Sequence, residues 1–172
     1  TIAEKQEDQS YLRMVHAISG LPSVDIFVDT IIVAADLNYT QYTGATRIVG
    51  GEYTLSVLPR GGSIERNNDP ILQQSISIPD GKTVILVLGG TVDVPILIVY
   101  QEDDNSLETG QSRVTLIHAI PQGPSLTLKK SGVDLSPDSV VFSQQITPLI
   151  IDGESTMFTI HDSSNLLASY QI

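Results

Sequence analysis

Two histidines, His16 and His118, stand in near-identical surroundings, Met14-Val15-His16-Ala17-Ile18 and Leu116-Ile117-His118-Ala119-Ile120. Imidazole offers acid–base and metal chemistry near neutral pH, but either use needs a carboxylate or further ligands converging on the ring. Neither histidine has an Asp, Glu or His at ligand spacing in its own segment. The expectation is therefore a structural histidine at a strand end, bonded to the loop that follows. His161 has no repeat counterpart near Pro59 and is expected to be exposed. Asp103, Asp104, Asn105 and Glu108 carry the oxygen ligands that calcium takes, yet the Asp-x-Asp-x-Asp-Gly spacing is missing, and a solvated linker is the better reading. Asp25, Asp29 and Asp36 read as carboxylates that strand alternation exposes singly. No pair of carboxylates is placed by a recognisable motif for glycoside cleavage. There is no Gly-x-Ser-x-Gly elbow, no phosphate loop and no Gly-x-Gly-x-x-Gly. Asn38-Tyr39-Thr40 is an N-glycosylation sequon, which matters for an exported chain in a host that glycosylates. No catalytic, cofactor-binding or metal-binding residue is assigned, and no cofactor is expected.

The two histidine segments belong to a longer repetition. Pro22-Ser23 returns as Pro124-Ser125, and Gly51-Glu52 with Thr54 returns as Gly153-Glu154 with Thr156, all at an offset of 102 positions. Two separated blocks sharing one offset indicate two copies of one structural unit in tandem, with His16, His118, Gly51 and Gly153 as repeat positions.

Composition limits the function classes. With 41% apolar residues the 172-residue chain can build packed cores. Nine basic against 20 acidic residues give a formal charge of −11, a surface that repels phosphate backbones and anionic lipid. Nucleic acid is not expected as a partner. No apolar run approaches a helical membrane span, so no membrane insertion is expected. The absence of cysteine removes disulfides, thiol catalysis and thiolate metal sites. A start at Thr1 suits a processed chain or a fragment.

Helical periodicity is nearly absent. Short runs rich in Val, Ile, Leu and Thr, bounded by Gly, Pro, Asn and Asp, predict strands at 11–18, 24–28, 31–35, 39–43, 53–58, 71–78, 83–88 and 95–101. In the second copy they predict strands at 114–120, 125–128, 140–142, 156–160 and 166–170. The expected organisation is all-β: a flexible arm over 1–9, a first β-sandwich over 10–101, an acidic linker over 102–111 and a second sandwich over 112–172. The second copy contains nothing to match 83–88 and 95–101. Those two strands are the most continuously apolar of the chain, which predicts burial on both faces.

The phrase Leu12-Arg13-Met14-Val15-His16-Ala17-Ile18, followed by Pro22-Ser23-Val24-Asp25-Ile26-Phe27-Val28-Asp29, resembles the opening of the domain-of-unknown-function 4397 family. Gly51-Glu52-Tyr53-Thr54-Leu55-Ser56-Val57-Leu58-Pro59-Arg60-Gly61 is similar to that family's later strand. The likeness covers most of 10–101 and, more weakly, 112–172. Ile18-Ser19 replaces the family's Ser-Pro, and Leu126-Thr127-Leu128 replaces its Val-Asp-Val. The resemblance implies immunoglobulin-like β-sandwiches, often in tandem, on secreted or surface proteins. It implies no activity and no catalytic residues.

The function expected from these features is that of a non-catalytic extracellular or cell-surface structural protein. Its partners would be further copies of itself or other surface proteins. An unfinished sandwich leaves strand edges that template pairing with another chain, which leads to filaments; the competing reading is that further residues complete the domain in cis. A surface module binding carbohydrate or another ligand through loops at a sandwich end is the alternative, and a hydrolase ranks third.

Overall fold

Branched and long aliphatic side chains suit a pleated, half-buried surface, and the chain is built from strands throughout. The computed structural model describes residues 9–64, 69–102, 105–135, 139–146, 148–152, 157–163 and 165–171, and among these there is no helix. Most of the expected arm, Asp103 and Asp104 of the expected linker, and Gly153 lie outside the described residues. The chain divides into two compact units, Thr1–Asp104 and Asn105–Ile172.

The first unit has eight strands: β1 (Ser10–His16), β2 (Val24–Val28), β3 (Ile31–Leu37), β4 (Thr46–Ile48), β5 (Gly51–Pro59), β6 (Leu72–Ile78), β7 (Thr83–Gly90) and β8 (Pro95–Gln101). They form two four-stranded sheets, ordered β4-β1-β7-β8 and β3-β2-β5-β6. Every pairing is antiparallel except that of β1 with β7, which is parallel from Tyr11 opposite Thr83 to His16 opposite Leu88. Along this ladder the buried residues coincide: Leu12 faces Val84, Met14 faces Leu86 and His16 faces Leu88. With Ile26 of β2 and Leu55 of β5, these aliphatic side chains belong to one core that draws on both sheets. An immunoglobulin constant domain instead groups its first, second, fourth and fifth strands in one sheet, so the strand order here is different. Burial of β7 and β8 on both faces holds only in part. Val87 is buried on the second face of β7, but β8 is an edge strand and Val99 on it is 45% exposed.

The second unit has six strands among its described residues: β9 (Gln111–Val114), β10 (Leu126–Lys130), β11 (Val133–Asp134), β12 (Leu149–Asp152), β13 (Met157–Asp162) and β14 (Asn165–Gln171). Their order is β12-β9 in one sheet and β11-β10-β13-β14 in the other. These repeat β4-β1 and β3-β2-β5-β6, strand for strand. Counterparts of β7 and β8 do not occur among the described residues.

The register of the repetition changes midway. The pair Val28–Ile31 returns as Lys130–Val133, at an offset of 102 for both residues. The pair Asp25–Leu58, however, returns as Thr127–His161, and Val28–Leu55 returns as Lys130–Phe158. The backbone bonds His16 N to Gln41 O and Thr43 N to Met14 O likewise return as His118 N to Gln144 O and Ile146 N to Leu116 O. The offset is thus 103 from Val140 onward, and the extra residue falls between Asp134 and Val140. Gly153, the expected counterpart of Gly51, lies outside these ladders and outside the described residues. A one-residue slip turns a strand over, and the core therefore selects 103, which places Phe158 where Leu55 is.

Several expected strands differ. Residues 39–43 contribute only a bridge between Tyr42 and Val15, and 140–142 only a bridge between Val140 and Leu126. Thr40 and Ser143 take left-handed φ angles of 69° and 65°, which breaks the extended backbone at the equivalent place in both copies. The expected strand at 114–120 is strand only to Val114. Strands β4, β11 and β12 were not expected, because two to four residues are too few to show an alternation.

Two outcomes test this architecture. Replacing Leu86 by Ala empties a fully buried site in the β1–β7 layer and should cost about 2–5 kcal/mol in denaturant unfolding. A Thr127→Cys, His161→Cys double variant should form a cross-strand disulfide, whereas Thr127→Cys with Ile160→Cys, the pair that a uniform offset of 102 brings together, should not.

Candidate functional site

His16 and His118 close their strands from within the core, 0% and 1% exposed. In each copy Nδ1 accepts the backbone N–H two residues on, Ile18 at 3.3 Å and Ile120 at 3.2 Å. Accepting at Nδ1 puts the proton of the neutral ring on Nε2. For His118 that Nε2 donates to the carbonyl of Pro124 at 2.9 Å. For His16 the Nε2 nitrogen has no hydrogen-bond partner. The Tyr39 ring meets the His16 ring edge-on, at 6.3 Å between centroids. Each imidazole pins the loop that leads from the first strand of its unit to the second. His161 is half-buried, not exposed, and Nε2 lies 3.0 Å from Thr159 Oγ1.

Asp25 departs from the expectation of a singly exposed carboxylate. It is 7% exposed, its Oδ1 accepts the Asp36 N–H at 2.8 Å, and its Oδ2 accepts the Gly61 N–H at 2.7 Å. Asp36 itself has a left-handed φ of 52° and pairs with Arg60 at 3.3 Å across the surface. Asp25 thus ties the irregular end of β3 to the loop after β5. Asp29 Oδ1 accepts the Thr54 N–H at 2.9 Å, again linking β2 to β5. These carboxylates are fastened to backbone amides. Among the described residues no three His, Cys, Asp or Glu side chains come together to hold a metal. No described helix is long and apolar enough to cross a membrane. Asn38 is exposed, and its Nδ2 donates to Asp36 O at 3.0 Å and to Gln41 Oε1 at 3.2 Å.

Two apolar features remain. The first is an open groove of about 510 Å³ in the first unit, where β3 and β4, the edge strands of the two sheets, come together. Ile31, Ile32, Ile48 and Val49 line it with Tyr53, and Arg47 and Asp29 stand among them. Ile31 is 69% exposed there.

The second is the edge of β9 opposite β12. In the first unit the equivalent edge of β1 is filled by β7, and Ala17 N–H bonds Leu88 O at 2.8 Å. In the second, Leu116 and His118 direct their backbone groups to Ile146, Ser143 and Gln144. Strand alternation then aims those of Ile117 and Ala119 toward the opposite edge, where no strand lies among the described residues. Side-chain burial follows the same difference. Leu12 and Met14 are each 1% exposed, while their counterparts Val114 and Leu116 are only partly buried. Sequence reading could find the missing strands but not this edge, because the side of β1 that β7 occupies is a matter of topology.

The profile of the family described as Domain of unknown function (DUF4397) matches residues 10–129. The match takes in every strand of the first unit and runs into β10 of the second. No curated protein matches the chain.

Burial holds the pKa of His16 below its ordinary value of 6.5, with the Pro22 and His16 carbonyls pulling the other way. The unfolded chain therefore takes up this proton first, and stability present above pH 6.5 declines as the pH falls through 6.5 toward the folded value. Between pH 7.5 and 5, denaturant unfolding of the first unit should show a larger loss for the native chain than for a His16→Gln variant. Equal losses would contradict this assignment.

Proposed function

The chain belongs to the domain-of-unknown-function 4397 family, and from that premise we propose that it is a non-catalytic structural protein of the extracellular space or cell surface. It consists of two tandem β-sandwiches of one plan, and counterparts of β7 and β8 do not occur among the described residues of the second. Its strand order is its own rather than that of immunoglobulin domains. It associates with further copies or with other surface proteins by strand pairing at the second unit. The observation that carries this reading is the edge of β9, beside which no strand lies among the described residues where β1 has β7. Unpaired amides and carbonyls along an edge recruit another strand, and a head-to-tail contact of this kind extends into a filament because it does not close. The acidic surface agrees with this role, since it disfavours nucleic acid and anionic membranes.

A second reading rests on the groove between β3 and β4. A cleft of about 510 Å³ falls in the range of small-ligand sites. Its isoleucine and valine walls, with Tyr53 the single aromatic ring, suit an apolar ligand better than a stacked sugar.

Sedimentation and electron microscopy test the first reading. The native chain should form species far larger than its 18.6 kDa and elongated in images. An Ile117→Pro variant removes an N–H aimed at the open edge and should remain monomeric under the same conditions. A native chain that stays at 18.6 kDa at all concentrations would refute assembly.

A further inference from the structure

We propose that the groove between β3 and β4 of the first unit binds an aliphatic monocarboxylate, its chain laid on the apolar floor and its carboxylate on Arg47. This rests on the reading of that groove as a small-ligand cleft, and names the class of ligand it takes. The floor is continuous with the core. Val28 is buried there, and Val33, Ile48 and Tyr53 pack against the core that both sheets share. The Tyr53 hydroxyl donates to Val49 O at 2.7 Å, which satisfies its polar end and fixes the ring. Ile31, Ile32 and Val49 are 69%, 48% and 51% exposed, so large aliphatic side chains from both edges stand in water around the cleft. An alkyl chain seated among them takes their surface and its own out of water, and each buried methylene adds to the affinity.

Charge selects the head group. Arg47 lines the groove from β4, between half-buried Thr46 and Ile48, and is itself exposed, which puts its charge at the mouth. The described ion pairs join Arg13 with Glu102, Arg60 with Asp36 and Lys129 with Asp134, and none of them engages Arg47. Asp29, which also lines the groove, is committed to the backbone. Its Oδ1 accepts the Thr54 N–H at 2.9 Å, while its own N–H donates to Thr54 O at 2.7 Å. A guanidinium matches a carboxylate in shape as well as charge, through two parallel hydrogen bonds. On a chain of formal charge −11 a singly charged head is repelled less than a phosphate. An added peptide strand fits this place less well: β4 spans three residues and the β2–β3 register shifts twice, so neither edge presents a long regular ladder.

Octanoate, octanol and octylammonium share one chain and differ in the head, so calorimetric titration of each into the full chain at pH 7.5 separates chain from charge. Octanoate should bind about threefold more tightly than octanol, the margin of one partly exposed ion pair, and octylammonium should bind most weakly. Arg47→Gln should bring octanoate down to the level of octanol and leave octanol unchanged. Ile31→Ser, at a mostly exposed position, should weaken octanoate and octanol by the same factor without moving the denaturant midpoint. Equal affinity for octanoate and octanol, a preference that survives Arg47→Gln, or a preference for octylammonium would each overturn the carboxylate inference while the apolar cleft stands. Failure of all three probes to bind, or binding that Ile31→Ser leaves unchanged, would overturn the cleft reading with it.

Discussion

The parallel ladder between β1 and β7 is the contact on which the rest of the first unit depends. It aligns buried side chains in pairs, Leu12 with Val84 and Met14 with Leu86, at the centre of one sheet. Each fully buried aliphatic side chain contributes about 1.5–3 kcal/mol relative to exposure, so the inward face of β7 supplies a large part of that layer. The ladder also closes the edge of β1 and seats His16 beside Leu88, from which the imidazole can hold the loop into β2. The second sheet then has a complete surface against which to pack.

The described residues of the second unit show the same plan without that contact. Its described strands reproduce the other six in order, and its histidine loop is the better satisfied of the two, with both ring nitrogens bonded. Among the described residues its core groups Leu128, Val140, Ile146, Ile151 and Phe158, and Leu126 is buried as well. Apolar side chains remain at the surface, among them Ile150, Met157 and Leu166, each more than half exposed. A domain with a small core and an open edge would gain on both counts by taking up another strand, which is the physical basis of the proposed assembly.

Much of this was legible in the sequence, and the failures have physical reasons. The repeated His-Ala-Ile segments revealed two copies, and the all-β class follows from short apolar runs between turn residues. The change of offset from 102 to 103 was not legible, because identities at a loop say less about register than the face each residue presents to the core. Asp25 read as exposed because alternation ignores a carboxylate held by the amides of Asp36 and Gly61, which are distant in sequence. Position in an otherwise apolar strand was the available signal for it. The short strands β4, β11 and β12 form because a longer neighbour offers them an edge, not through any pattern of their own.

The central claim is that the edge of β9 is open in the isolated chain and filled on association. Amide hydrogen exchange at 111–119, read against 9–17 of the same molecule, measures this directly. In dilute solution the account predicts fast exchange at Ile117 and Ala119 and slow exchange at Val15 and Ala17, with protection at 117 and 119 rising as concentration drives assembly. Equal protection of the two segments at high dilution, unchanged by concentration, would contradict it.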